Sequence, residues 1–310
     1  MEWRDIGFVL GTRRHGESAL IVELLTAEHG RHAGLVRGGQ SPRRRALLQP
    51  GNAVAAIWRG RLPEHLGTIE CELVEAHAAR LLDDPDRLAA LNAAVALLLA
   101  ASPEREPHAD LHASFAGLLQ ALAAPSPTLP FPAPTLPSPA PTLPSPASGG
   151  GLGRGQSGGG LGRGQSGGGV GRGQSGGGQT MGAALDSAAG WARSYVLWEC
   201  DLLAALGFGL DLGRCAVTGT NQDLVYVSPR TGRAVSRESG APYHDKLLPL
   251  PGFLWRDAPA GAADIVAGLI LTRHFLQHDL LEPQGGRLPE ARERLLQRVR
   301  RLAAPEPPLV

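Results

Sequence analysis

Two hydrophobic periods divide the chain. Up to about residue 80 apolar and polar positions alternate in short runs. The clearest is Ile69, Cys71 and Leu73 interleaved with Thr68, Glu70 and Glu72, a strand with one buried and one wet face. The pattern predicts strands over 8–14, 19–26, 32–37, 53–60 and 66–75, separated by turn material such as His15-Gly16-Glu17 and Glu28-His29-Gly30. Downstream the period becomes helical. Asp84 followed by Pro85 is an N-cap and first-turn pair, and Leu88, Leu91, Val95 and Leu98 then recur on one face. Further helices are predicted over 109–123, 184–206, 262–281 and 289–302. In the third of all these helices Trp191, Tyr195, Trp198 and Leu202 form a stripe at alternating four- and three-residue spacing, which reads as core packing before it reads as a partner contact.

Five strands with no long helix between them are most economically closed into a small barrel, and the five-stranded oligonucleotide-binding fold is the candidate. The fold class expected is therefore α+β: this barrel over residues 1–80, then a helical domain whose two parts cover 81–124 and 183–304, with a disordered tail at 305–310. Between the two helical parts, 125–182 is almost entirely Pro, Gly, Ser, Thr, Leu, Gln and Arg. A seven-residue repeat starts at Thr128, Thr135 and Thr142, and a nine-residue repeat at Ser148, Ser157 and Ser166. Such a segment cannot bury enough apolar surface to fold and reads as a disordered insertion. Because loop-closure entropy grows only logarithmically with length, the flanking helices are expected to pack together across it.

The insertion also produces false matches to catalytic patterns. Gly155-Gln156-Ser157-Gly158-Gly159 fits a hydrolase nucleophile motif and 153–158 fits a dinucleotide-binding one. Neither follows a strand or opens a helix, the context that each mechanism needs. Calcium binding by the nine-residue repeats is excluded on ligand count, because no carboxylate lies between Asp110 and Asp186. The helical pairs His274/His278 and His108/His112 lack the adjacent Glu of a zinc-protease motif, and Cys215-Ala-Val-Thr218 is half a zinc pair with no second pair following. No catalytic residue, metal or cofactor is expected. Cys71, Cys200 and Cys215 read as reduced, unpaired thiols.

Charge supplies the functional clue. The 310 residues carry a formal net charge of only +1, yet between His29 and Pro63 there are seven arginines and no carboxylate. Arg31, Arg37, Arg43, Arg44, Arg45, Arg59 and Arg61 are the candidate nucleic-acid contacts, with Arg37 and 43–45 expected on a loop and strand edge of the barrel. Trp58, flanked by Arg59 and Arg61, is the candidate ring for base stacking. A weaker cationic rim surrounds the last helix at Arg292, Arg294, Arg298, Arg300 and Arg301. Charges at Glu2, Arg4 and Asp5 argue against an export signal. The apolar run at 88–101 is shorter than the roughly 20 residues of a bilayer span, so a cytoplasmic protein without membrane contact is expected.

Many short motifs, taken in order, carry a resemblance. They include His15-Gly-Glu-Ser18, Thr26-Ala-Glu-His-Gly30, Leu35-Val-Arg-Gly-Gly39, Arg43-Arg-Arg and Leu48-Gln-Pro50. Further on come Trp198-Glu199, Leu206-Gly-Phe-Gly-Leu-Asp211, Arg214-Cys-Ala-Val-Thr-Gly219 and Tyr226-Val-Ser-Pro229. In these the chain resembles the bacterial RecO family of recombination mediators over nearly everything except the repeats. The resemblance implies a barrel followed by an all-helical domain, binding of single- and double-stranded DNA, strand annealing, and action with RecR to load RecA on DNA coated by single-strand-binding protein. It also implies a nucleoid-associated location. Some members carry four zinc-binding cysteines where this chain keeps Cys215, so 208–245 is expected to be a zinc-less, degenerate zinc-ribbon-like subdomain. The acidic tail of single-strand-binding protein is placed by the resemblance near Trp198, with Arg193 supplying the basic residue. An RNA- or ribosome-associated factor would present the same basic loop and stays open as an alternative. A hydrolase has only the matches inside the repeats to support it.

Overall fold

The computed structural model describes residues 1–124 and 179–303. Five strands, β1 (Glu2–His15), β2 (Ala19–Thr26), β3 (Gly30–Val36), β4 (Ala53–Arg59) and β5 (Thr68–Glu75), form a closed barrel in the order β1-β2-β3-β5-β4. β1 closes the ring by pairing antiparallel with both β2 and β4, while β3 meets β5 through one parallel pair, Leu35 with Thr68. Val9, Val22, Leu24, Val54, Trp58 and Ile69 fill the interior.

β1 runs longer than predicted, and its centre is buried on both faces. Val9 points into the barrel, whereas Phe8 and Leu10 face outward and join the core of the helical part together with Leu25 and Ala53. The Phe8 ring sits 4.8 Å from His112 and 5.3 Å from Phe115. Burial of each such apolar side chain contributes on the order of 2 kcal/mol, so barrel and helices share one continuous core.

Two short helices in the first 80 residues were not foreseen. α1 (Pro42–Leu47) stands where a loop was expected, between β3 and β4, and α2 (His77–Arg80) follows β5. α3 (Pro85–Ala101) starts as predicted: Asp84 Oδ1 accepts from the amides of Asp86 and Arg87, both at 3.1 Å. α4 (Ala109–Ala123) and α5 (Gln179–Ala205) pack along one another as expected, with the Phe115 and Trp198 rings 6.0 Å apart. Past α5 the chain forms a three-stranded sheet in the order β7-β6-β8, from β6 (Leu224–Val227), β7 (Ala234–Ser236) and β8 (Leu248–Pro249), with α6 (Arg237–Gly240) between the last two. The C-terminal part is therefore helical apart from this small sheet, whose β6 and β7 fall within 208–245 and whose β8 lies beyond it. α7 (Ala262–Phe275), extended by a π-helical turn over Leu276–Leu281, and α8 (Glu290–Ala303) complete the fold.

A buried ion pair locks this bundle. Glu199 on α5 and Arg292 on α8 are both 0 % exposed. Arg292 Nε donates to Glu199 Oε1 at 2.5 Å, and its Nη2 donates to Glu199 Oε2 at 2.9 Å and to the Leu269 carbonyl of α7 at 2.8 Å. Arg292 is thus a cross-brace between three helices and is removed from the cationic rim assigned to it by the sequence. No helix among the described residues is long and apolar enough to cross a membrane. The repeats, including Ser157, and the tail lie outside the described residues.

Candidate nucleic-acid interface

The seven candidate arginines separate into two groups. Arg37, at the end of β3, Arg43, Arg44 and Arg45 on α1, and Arg61 in the β4–β5 loop are all exposed, and none makes an ion pair among the described residues. α1 begins with Pro42 at its first turn, carries no acidic residue there and buries none of its own residues, so its three guanidinium groups stay in solvent. Adjacent residues of a helix point about 100° apart, so the three fan out around α1 and do not form a single row.

The other two candidates are already occupied. Arg31 is mostly buried: its Nη1 donates to Glu23 at 2.7 Å and its Nε to the Ser102 carbonyl at 2.9 Å, and Glu104 lies 3.5 Å away. It clamps the barrel to the α3–α4 connection, where Arg105 N also donates to Arg31 O at 2.8 Å. Gly30 precedes it with a φ of +63°, and a Cβ there would sit 2.0 Å from the Glu106 carbonyl oxygen, so the clamp needs glycine at this point. Arg59 is held between Glu2 at 2.8 Å and Glu70 at 3.0 Å, carboxylates from the strands on either side of β4. Its own charge is largely cancelled.

Residues that the sequence reading passed over enlarge the cationic surface. Gln40 Nε2 donates to the carbonyls of Gly16 (3.1 Å) and Ala19 (3.2 Å), which ties the β3–α1 connection to the β1–β2 turn. Through the register Arg14–Leu20–Val36 this turn sits at the same end of the sheet as Arg37. Arg13, Arg14 and His15, all exposed, therefore lie at the same end of the sheet as Arg37 and α1, with Glu17 the acid among them. Strand alternation alone would expose only one of the neighbours Arg13 and Arg14, and only the strand register shows which other arginines they stand beside. Arg61 is brought to the seam differently: Leu35 N donates to Gly67 O at 3.1 Å, so the loop carrying Arg61 abuts β3.

Trp58 does not belong to this surface. It is 1 % exposed inside the barrel, its indole N–H donates to the Leu66 carbonyl at 3.0 Å, and Trp3 stacks on it at 5.9 Å. A Cβ on Gly67, whose φ is +61°, would come within 2.5 Å of the ring. No base can reach it. His32 packs edge-on to the same indole at 5.2 Å, with both ring nitrogens buried and unpaired. Burial, reinforced by the Arg105 and His29 charges, lowers its pKa to about 4.

The expected partner-binding pair separates in the same way. Trp198 is buried against Phe115 and Tyr195, as the core reading of its stripe required, so its ring touches no partner. Arg193 remains partly exposed, 3.9 Å from Asp257. In the C-terminal sheet region Cys215 Sγ accepts from the Ser236 amide at 3.3 Å. Burial would raise this thiol, but hydrogen bonds from Thr218 and Ser236 outweigh it and lower the pKa to about 6. His274 Nε2 lies 3.1 Å from the Pro229 carbonyl and His278 Nδ1 lies 2.8 Å from Glu282. Among the described residues no group of three or more His, Cys, Asp or Glu is placed to hold a metal ion.

Comparison with known proteins agrees with this architecture. Residues 1–77 match the family profile described as recombination protein O N terminal, and residues 183–287 match recombination protein O C terminal. The DNA repair protein RecO of Rhodospirillum rubrum is 43% identical over 306 residues, covering 98% of this chain and 98% of its own length. Its counterpart in Rhodospirillum centenum is 43% identical, covering 97% and 96%, and that of Chelativorans sp. is 42% identical, also covering 97% and 96%.

Proposed function

This chain belongs to the RecO family and has a role in DNA repair and recombination, and from that premise we propose that it works as a non-catalytic DNA-binding mediator. It binds single- and double-stranded DNA through phosphate contacts from Arg13, Arg14, Arg37, Arg43, Arg44, Arg45 and Arg61, anneals complementary strands, and acts with RecR to place RecA on DNA coated by single-strand-binding protein. Its place in the cell is the nucleoid. The observation that carries this reading is the set of exposed arginines that make no ion pair among the described residues, next to a barrel whose other arginines, Arg4, Arg31 and Arg59, are paired. Guanidinium groups in water displace condensed cations from a polyanion, which favours binding at low salt with little dependence on base sequence. Arg193 is the group offered to the acidic tail of single-strand-binding protein. Of the sequence-derived contacts, Arg31, Arg59, Trp58 and Trp198 are withdrawn.

Strand annealing across a salt titration, with and without single-strand-binding protein, tests the proposal. Annealing should be fast in dilute buffer, fall steeply with salt, and persist when the strands are coated. Competition by an RNA of equal length should be weaker than by DNA. Failure to bind oligonucleotides in dilute buffer would overturn the reading, and preference for RNA would move it to the ribosome-associated alternative.

A further inference from the structure

Beside α1 lies a groove of about 1130 Å³ whose apolar floor the DNA contacts do not use. Its floor is the latter half of β5, with Cys71 and Leu73, and its walls are α1 and the α2 segment. One buried amide holds both walls. Asn52 Nδ2 donates to the carbonyls of Ala46 (3.2 Å) and Leu47 (3.0 Å) at the end of α1, and its Oδ1 accepts from the Ala78 amide of α2 at 3.1 Å. The groove is therefore shaped in advance, which lowers the entropic cost of filling it.

Three properties describe what fits. Apolar surface is left open: Leu73 is 47 % exposed and Leu82, on the opposite wall, 67 %. The sheet edge beside it is also open, because β5 pairs with β3 only at Thr68 while its opposite edge is covered by β4 along its length. Such an edge offers unpaired backbone groups to an added strand. Finally, among the described residues Arg43 and Arg44 line the rim without an ion pair, and Glu72 is the only acid lining it. No aromatic side chain lines the groove, so it lacks the platform on which nucleobases stack.

We propose that this groove is a protein-docking site for an extended acidic peptide with bulky aliphatic side chains at alternate positions, added as a strand along the open edge of β5. Backbone hydrogen bonds run to β5, the aliphatic side chains drop between Leu73 and Leu82, and the acids face Arg43 and Arg44. Docking of the peptide is independent of the DNA reading. Competition between peptide and DNA for Arg43 and Arg44 is a consequence that rests on it.

The test uses the full chain and a fluorescein-labelled heptapeptide of alternating Asp and Leu, with Lys–Leu and Asp–Ser heptapeptides as controls, read by anisotropy. The Asp–Leu peptide should bind and the controls should not. Leu82→Asp and Arg44→Glu should each weaken it by about tenfold or more, a difference of roughly 1.4 kcal/mol. Leu82→Asp, a change at an exposed side chain, should leave oligonucleotide affinity within about twofold. Absence of Asp–Leu binding, equal binding of Lys–Leu, or insensitivity to both substitutions would overturn the docking site and leave the DNA reading standing. Loss of oligonucleotide binding in Leu82→Asp would instead assign the groove to the DNA path.

Discussion

Removing the α1 arginines should change the salt dependence of DNA binding by a predictable amount. Arg43, Arg44 and Arg45 are exposed and unpaired, so replacing all three with Ala disturbs no buried contact. For single strands each phosphate neutralised contributes about 0.7 to the slope of log affinity against log salt. Their fan-like spread allows a strand passing one side of α1 to meet two of the three squarely. The slope should therefore become shallower by about 1.4, or by about 2 if all three reach phosphates. Between 50 and 200 mM salt, wild type should then lose roughly sevenfold more affinity than the variant. Anisotropy titrations of a labelled 30-mer at four or five salt concentrations give both slopes. Arg59→Ala is the comparison: Glu2 and Glu70 already neutralise that guanidinium, so its slope should stay at the wild-type value. An unchanged slope in the triple variant, or an equal change in Arg59→Ala, would falsify the division into free and occupied arginines.

Three other outcomes follow from buried groups. Glu199→Ala leaves the Arg292 guanidinium buried without its partner, so it should cost about 3–5 kcal/mol, a fall in Tm of roughly 6–20 °C, with much of the loss recovered in Glu199→Leu/Arg292→Met. Calorimetry showing a loss under about 1 kcal/mol would refute the brace. His32 is held neutral in the folded chain, with a pKa of about 4 against 6.5 when unfolded. Its contribution is complete above pH 6.5 and is lost as pH falls from there towards 4, up to about 3 kcal/mol. Urea denaturation at pH 7.5, 5.5 and 4.5 should show that sag, with His32→Phe flattening it only in part because burial also lowers His77 and His112. Trp58→Phe should cost about 1–2 kcal/mol through the unpaired Leu66 carbonyl and leave DNA affinity within about twofold, whereas a tenfold affinity loss would return the ring to the interface.

Much of this architecture can be read from local sequence. The alternation through Ile69 and Cys71 and the cap at Asp84 each depend on neighbours within a few residues and both elements formed, although the buried face of β5 ends at Cys71 and leaves Leu73, expected inside, exposed. α1 escaped because a six-residue helix made of Pro, Arg, Ala and Leu has no apolar stripe to reveal its period. The double-sided burial of β1 escaped because Phe8 and Leu10 look like an ordinary inner face until α4 is laid against them. The arginines show the limit most directly. Their number and the lack of nearby acids were visible, but whether each is free depends on Glu23, Glu104, Glu2, Glu70 and Glu199, which lie 8 to 93 positions away.

The shared core constrains how the molecule can be taken apart. A fragment ending after β5 would lay bare the strip of Phe8, Leu10 and Leu25 and deprive Arg31 of its anchors at Ser102 and Glu104, leaving it Glu23 alone, so it should be sticky and its Arg31 less firmly held. Truncation would thus create an adhesive piece, and any affinity measured on it would overstate what the intact chain does.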